Sequence, residues 1–119
     1  MRRKRTNPDF LNGVPELLVL SLLSRREMHG YELVQSIRRA TNEVIEFGEG
    51  CVYPTLHRLE ADGLLTSSRS SVAGRSRVVY RLSARGRKQL TTTRSTWEIV
   101  VAAIKQALEG DDDERTVMA

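Results

Sequence analysis

The segment GEGCVYPTLHRLEADGLL, Gly48 to Leu65, leaves the chain little choice of structure. Val52, Leu56 and Leu59 recur at i, i+4 and i+7, the spacing of one buried helical stripe. Pro54 is tolerated only if the helix begins just before it, and Gly63 offers the left-handed stop that follows a helix end. The expected helix spans about 50 to 62. Off its stripe lie Tyr53, Thr55, His57 and Arg58, four hydrogen-bonding side chains on what should be the outer face.

Around this helix the remaining elements fall into order. GVPELLVLSLL supplies Val14, Leu17, Leu18, Leu22 and Leu23 for a helix of about 13 to 25, with Pro15 in its first turn where no helical N–H is lost. SRREMHG breaks it, and YELVQSIRRAT forms a second helix from Gly30 to about Thr41 with Leu33, Val34 and Ile37 inward. EVIEF follows as an extended piece anchored by Val44, Ile45 and Phe47. LLTSSRSSVAGRSRVVYRLS reads as a β-hairpin, with strands over 64–68 and 77–83 and an exposed, mobile Ser/Gly/Arg loop between them. A long last helix runs from Ser83 to about Leu108. Its apolar positions Leu90, Trp97, Val101, Ile104 and Leu108 make a heptad-like seam. Ile99, Val100 and Ala103 widen that seam beyond what one small domain can cover, so a second copy of the chain is expected against it.

The expected fold is therefore mainly α with a small β-hairpin, a winged helix-turn-helix followed by a long dimerisation helix. The chain divides into a basic arm at 1–12, the winged domain at 13–83, the dimerisation helix at 84–109 and an acidic flexible tail at 110–119. In such an order the third helix is the one presented to the DNA major groove, which admits a single helix.

Charge is distributed to match. The 119 residues carry a net charge of +4, but between Leu64 and Arg94 there are eight basic residues and no Asp or Glu. RRKR stands at the start of the chain and EGDDDER near its end. The segregation points to a polyanion as partner, double-stranded DNA foremost. One cysteine, Cys51, excludes an internal disulfide and fits a reducing cytoplasm. No apolar run is long enough to span a bilayer, and no apolar h-region follows the basic start, so a soluble cytoplasmic protein without a membrane role is expected. An enzyme fails on inventory: no nucleophile sits with a base, no loop cradles phosphate, and His29, His57 and Cys51 have no ligand spacing, so neither cofactor nor metal is expected.

Three blocks, LLVLSLLSRREMHGYEL, GCVYPTLHRLEADGLL and GRSRVVYRLSARGRKQL, resemble the PadR family of bacterial transcriptional regulators from Leu17 to Leu90. The single last helix is similar to that of the short subfamily. The resemblance implies a homodimer paired through the first and last helices that usually represses transcription. It also implies a site for a small hydrophobic effector, since some short members bind flat hydrophobic drugs between tryptophans of the two last helices. Trp97 in STWEIV stands where such a tryptophan would be.

The individual residues then take roles. Arg58 can bond a guanine or a phosphate, Thr55 a thymine methyl or phosphate, and Tyr53 a phosphate, with a packed supporting ring as the alternative for Tyr53. His57 is either a DNA contact or a solvated side chain. Gly50 lets the helix start approach a phosphate. Arg69, Arg75 and Arg77 of the wing, and Lys4 and Arg5 of the arm, are the flanking phosphate contacts. Val14, Leu18, Leu90, Trp97, Val101, Ile104 and Leu108 are the dimerisation residues, and Val14, Leu18, Thr93, Trp97 and Val101 the walls of any effector cavity. Cys51 reads as a small buried hydrophobe rather than a redox switch. The competing function on the same fold is a dimeric protein-interaction adaptor gripping an acidic partner, or a nonspecific architectural DNA binder.

Overall fold

The computed structural model describes residues 13–118. Three helices, α1 (Val14–Leu23), α2 (Gly30–Ala40) and α3 (Glu49–Ala61), are followed by the strands β2 (Leu65–Val72) and β3 (Arg75–Leu82) and by a long α4 (Ala84–Met118). A two-residue strand β1 (Met28–His29) precedes α2. It pairs antiparallel with β3, giving a three-stranded sheet in the order β1-β3-β2.

The core lies where the three helices meet the root of the sheet. Val19, Leu20, Leu33, Ile37, Phe47, Val52, Leu56, Leu59 and Leu65 are fully enclosed. In α1 the enclosed face is centred on Val19 and Leu20, whereas Leu17 and Leu18 are half-buried. That helix is apolar almost all round, so periodicity alone could not phase it. Between α2 and α3, Phe47 is the anchor of EVIEF and Val44 points out to solvent. The Thr41 hydroxyl fixes this connection, donating to the Ile37 carbonyl at 2.9 Å and accepting from the Ile45 N–H at 3.1 Å.

Three expectations need correction. The wing is not a short hairpin with a mobile loop: its strands run in unbroken register from Leu65↔Leu82 to Val72↔Arg75. Ala73 and Gly74, at φ of 52° and 77°, turn the chain in two residues, the positive-φ pair that matches the twist of a tight hairpin. Pro54 lies within α3 rather than at its start. It supplies no N–H to the Gly50 carbonyl, on a face open to solvent that can hydrate it. Finally, α4 does not end at Leu108 before a flexible tail but runs on to Met118. Gly110 weakens a helix by about 1 kcal/mol without terminating it, and the acidic residues beyond it are only mildly unfavourable in helices.

Two glycines and one serine set the angles between elements. A Cβ on Gly30 would collide with the Tyr53 ring, so α3 crosses the start of α2 closely only because the position is bare. A Cβ on Gly86 would strike the Leu64 carbonyl, so the first turn of α4 sits close against the link between α3 and β2 only because the position is bare. Ser83 caps α4: its hydroxyl accepts from the Gly86 N–H at 3.0 Å and donates to the Gly63 carbonyl at 2.8 Å. Beyond that turn α4 packs on α1 and the core through Leu90 and Trp97, and the molecule extends 70 Å along its longest axis.

Candidate nucleic-acid interface

The outer surface of α3 is a ridge of Gly50, Pro54, His57 and Ala61, all exposed, at i, i+4, i+7 and i+11. Three of the four are small or compact. A Cβ at Gly50 would meet nothing within 4 Å, and its φ is not positive, so the fold itself makes no demand for glycine there. A ridge so bare lets another surface approach the helix backbone closely.

The flanks of the ridge carry the polar groups, though not all those expected. Tyr53 is half-buried over Gly30, and its ring lies 6.5 Å from that of His57 at a tilted 50°. Thr55 was expected on the outer face but is only 8% exposed, and its hydroxyl donates to the Cys51 carbonyl at 2.9 Å. Position 55 falls beside Val52, Leu56 and Leu59, so the buried stripe is one residue wider than the apolar pattern shows, and a hydroxyl that bonds its own helix can join it. Arg58 is exposed and donates to the Glu16 carboxylate of α1 at 3.3 Å. Cys51 is half-buried at the helix start.

The wing projects Arg69, Arg75 and Arg77 into solvent. Arg69 donates to the Ser76 hydroxyl at 3.1 Å across the hairpin, and Arg75 has no protein partner among the described residues. Arg77 Nη1 lies 2.9 Å from Nε2 of His29. Lower on the hairpin, Arg81 is spent on Glu27 at 2.7 Å. Lys4 and Arg5 lie outside the described residues.

Between wing, α2 and α3 opens a cleft of about 490 Å³, lined among others by His29, Tyr31, Tyr53, His57, Arg75 and Arg77. His29, considered above only as a metal ligand, and Tyr31 are cleft residues not expected at the DNA-facing surface. The detectable signal was the pairing of a strand residue before α2 with the wing, which a two-residue strand hides. In the first turn of α2, Glu32 keeps its charge below the usual carboxylate range. Burial opposes that charge, but Arg26, at 2.6 Å, and the nearby His29 outweigh it. Burial, with the charges of Glu60 and Tyr53, raises the pKa of Tyr80, so its phenol stays protonated.

Helices α1 and α4 flank an apolar groove of about 560 Å³. Leu17, Leu18, Trp97, Val101 and Ala102 form its walls, with Ser21, Arg94, Glu98 and Lys105 at the rim. Leu18, Trp97 and Val101 were expected here. Val14 is buried in the core instead, and Thr93 accepts from the Gln89 amide at 3.0 Å outside the lining. Leu90 is half-buried against the core, whereas Ile99, Val101, Ile104 and Leu108 remain 54–73% exposed. No described helix is long and apolar enough to cross a membrane.

Comparison with known proteins gives this arrangement a lineage. The Transcriptional regulator PadR-like family matches residues 19–92. Transcriptional regulator Rv3488 of Mycobacterium tuberculosis is 42% identical over 90 residues, covering 76% of this chain and 81% of that protein. Among solved structures, a transcriptional regulator from Clostridium thermocellum superimposes with a TM-score of 0.77 at 28% identity, covering 83% of this chain and 97% of the other. A PadR family transcription regulator from Clostridium difficile gives 0.71 at 26% identity, covering 81% and 99%. With a winged domain of matching order and a family match over most of its length, the chain belongs to the PadR-like family of transcriptional regulators.

Proposed function

We propose that the protein is a homodimeric, sequence-specific DNA-binding regulator that represses transcription. The observation that carries this reading is the bare ridge of α3, standing beside a wing whose projecting arginines face no acidic side chain of their own strand pair. The ridge enters the major groove, where His57 and Arg58 reach base edges, and Arg69, Arg75 and Arg77 take flanking phosphates. Tyr53 supports the ridge from the side. With about six phosphates neutralised per dimer, log K falls with log salt at a slope near −5.

Dimerisation is supported by the face of α4 that its own domain leaves open. Val101, Ile104 and Leu108 continue the line begun by Leu90 and Trp97, as a coiled-coil seam does, and all three are exposed in the single chain. Pairing through that seam sets the two α3 helices to read half-sites about one DNA turn, ~34 Å, apart. The groove beside Trp97 has an apolar body and a charged rim, which suits a flat hydrophobic effector with a polar edge.

The test is titration onto duplex DNA from upstream of the chain's own gene, with a scrambled duplex as control. Strong preference for the native duplex supports a specific regulator. Equal and steeply salt-dependent binding supports an architectural role, and no binding at low salt leaves the adaptor reading.

A further inference from the structure

The contact between His29 and Arg77 contains a conflict of hydrogens. His29 is the N-cap of α2, where its Nδ1 accepts the Glu32 backbone N–H at 3.3 Å. A neutral ring has one accepting nitrogen, and the cap assigns that role to Nδ1, which puts the ring proton on Nε2. Yet Nε2 is the atom that lies 2.9 Å from Arg77 Nη1, and a guanidinium nitrogen only donates. In the tautomer that keeps the cap, two donors converge with no acceptor between them. The nearest acidic oxygen, Oε1 of Glu32, is 3.8 Å from Nε2, too far for a hydrogen bond, and that carboxylate already binds Arg26 at 2.6 Å.

The register of the sheet makes the juxtaposition a fixed one. His29 stands opposite Val79 in the β1–β3 pair, so Arg77, two residues along, is on the same face and diagonally adjacent. Both donors open into the cleft between wing, α2 and α3, where Arg75 and His57 add polarity of the same sign or none.

We propose that this cleft seats one phosphodiester of the DNA backbone, whose oxygen accepts from His29 Nε2–H and Arg77 Nη1–H together. The seat rests on the DNA-binding reading above and adds to it a residue, His29, that lies on neither the recognition helix nor the wing. It gives His29 two tasks at once, holding α2 through Nδ1 and the phosphate through Nε2. It also locks the wing at a set distance from α2 when DNA is bound, since one oxygen bridges the two.

The two tasks can be separated with the full-length chain. His29→Asn places an acceptor near the Nδ1 position and keeps the cap but loses the Nε2 donor. His29→Gln places a donor near Nε2 and loses the cap. Anisotropy titrations with native and scrambled duplexes should show His29→Asn weakened about tenfold or more on both, at an unchanged melting temperature. His29→Gln should melt lower yet bind more tightly than His29→Asn. Arg77→Gln should weaken binding similarly, and the His29→Asn/Arg77→Gln double variant should lose much less than the product of the single losses, because one oxygen serves both donors. Undiminished affinity in His29→Asn, or losses that multiply in the double variant, overturns the seat while leaving DNA binding intact. A wild type that binds no DNA removes the wider reading, and the seat with it.

Discussion

Arg58 of α3 donates to the Glu16 carboxylate of α1 across 3.3 Å, tying the helix with the bare outer ridge to the helix that walls the apolar groove. Glu16 directly precedes Leu17 and Leu18, whose side chains line that groove. The pair is largely exposed on its arginine side, so it holds Arg58 in place without adding much stability. Its consequence is for recognition. On the proposed DNA reading, Arg58 exchanges one carboxylate for a base or a phosphate when DNA arrives. Glu16→Gln should therefore raise affinity for native DNA by a few-fold. Arg58→Ala should cost about 1–3 kcal/mol on native DNA and much less on scrambled DNA, checked by paired titrations. Equal losses on the two duplexes would mean that Arg58 reads no base.

Gly50 separates a demand of the fold from a demand of the partner. A Cβ there meets no atom of the protein. Gly50→Ala should leave the melting temperature unchanged or raise it, with a gain of up to ~1 kcal/mol from reduced chain freedom. The same methyl stands on the ridge and should weaken DNA binding at least several-fold. Thermal melting and a DNA titration on one preparation check both halves of the expectation.

The α4 seam predicts oligomeric state. Ile104 is 55% exposed in the single chain and lies between Val101 and Leu108 along the open face. If a second copy covers it, Ile104→Glu removes burial worth roughly 1.5–3 kcal/mol per copy and leaves carboxylates in an apolar seam. Sedimentation equilibrium should show a dimer for the wild type and a shift to monomer for the variant, with melting of the winged domain little changed. A monomeric wild type at the same concentration would contradict the seam.

Glu32 gives the acid limb of stability a specific source. Its folded pKa lies below the ordinary 4.5. The proton is therefore bound more tightly by the unfolded chain, and the stabilisation is complete above about pH 4.5. It fades as pH falls through the lowered folded value. The pair is partly exposed, so the effect is a small one. Melting followed from pH 6 to pH 3 should fall more steeply in the wild type than in Glu32→Gln below ~4.5. Parallel curves would assign the acid limb to other groups.

Much of this was legible from the chain itself, for identifiable reasons. Val52, Leu56 and Leu59 fixed the phase of α3, and Gly63 fixed its end, because these constraints are local. Thr55 was misplaced because polarity was read as exposure, whereas a hydroxyl satisfied by its own helix is free to be buried. The wing's length was hidden by Ser and Arg, which carry no alternation of apolar residues; register from β3 and the Ala73–Gly74 turn, not burial, extends the strands. The place of His29 beside the wing was not legible because it depends on β1 pairing with β3 across some fifty residues of chain, a contact with no local signature. Leu17 faces the groove while Val14 is enclosed, since a helix apolar on every side does not announce which face its partner takes.

The central claim is that the ridge of α3 and the wing bind a particular DNA sequence. The measurement that bears on it most directly is the affinity of the full-length protein for duplex DNA from upstream of its own gene against a scrambled duplex, each at two salt concentrations. The account predicts at least a hundredfold preference for the native duplex and a log–log salt slope near −5. Equal affinity for the two duplexes would contradict sequence-specific regulation at that site, and absence of binding to either at low salt would contradict DNA as the partner.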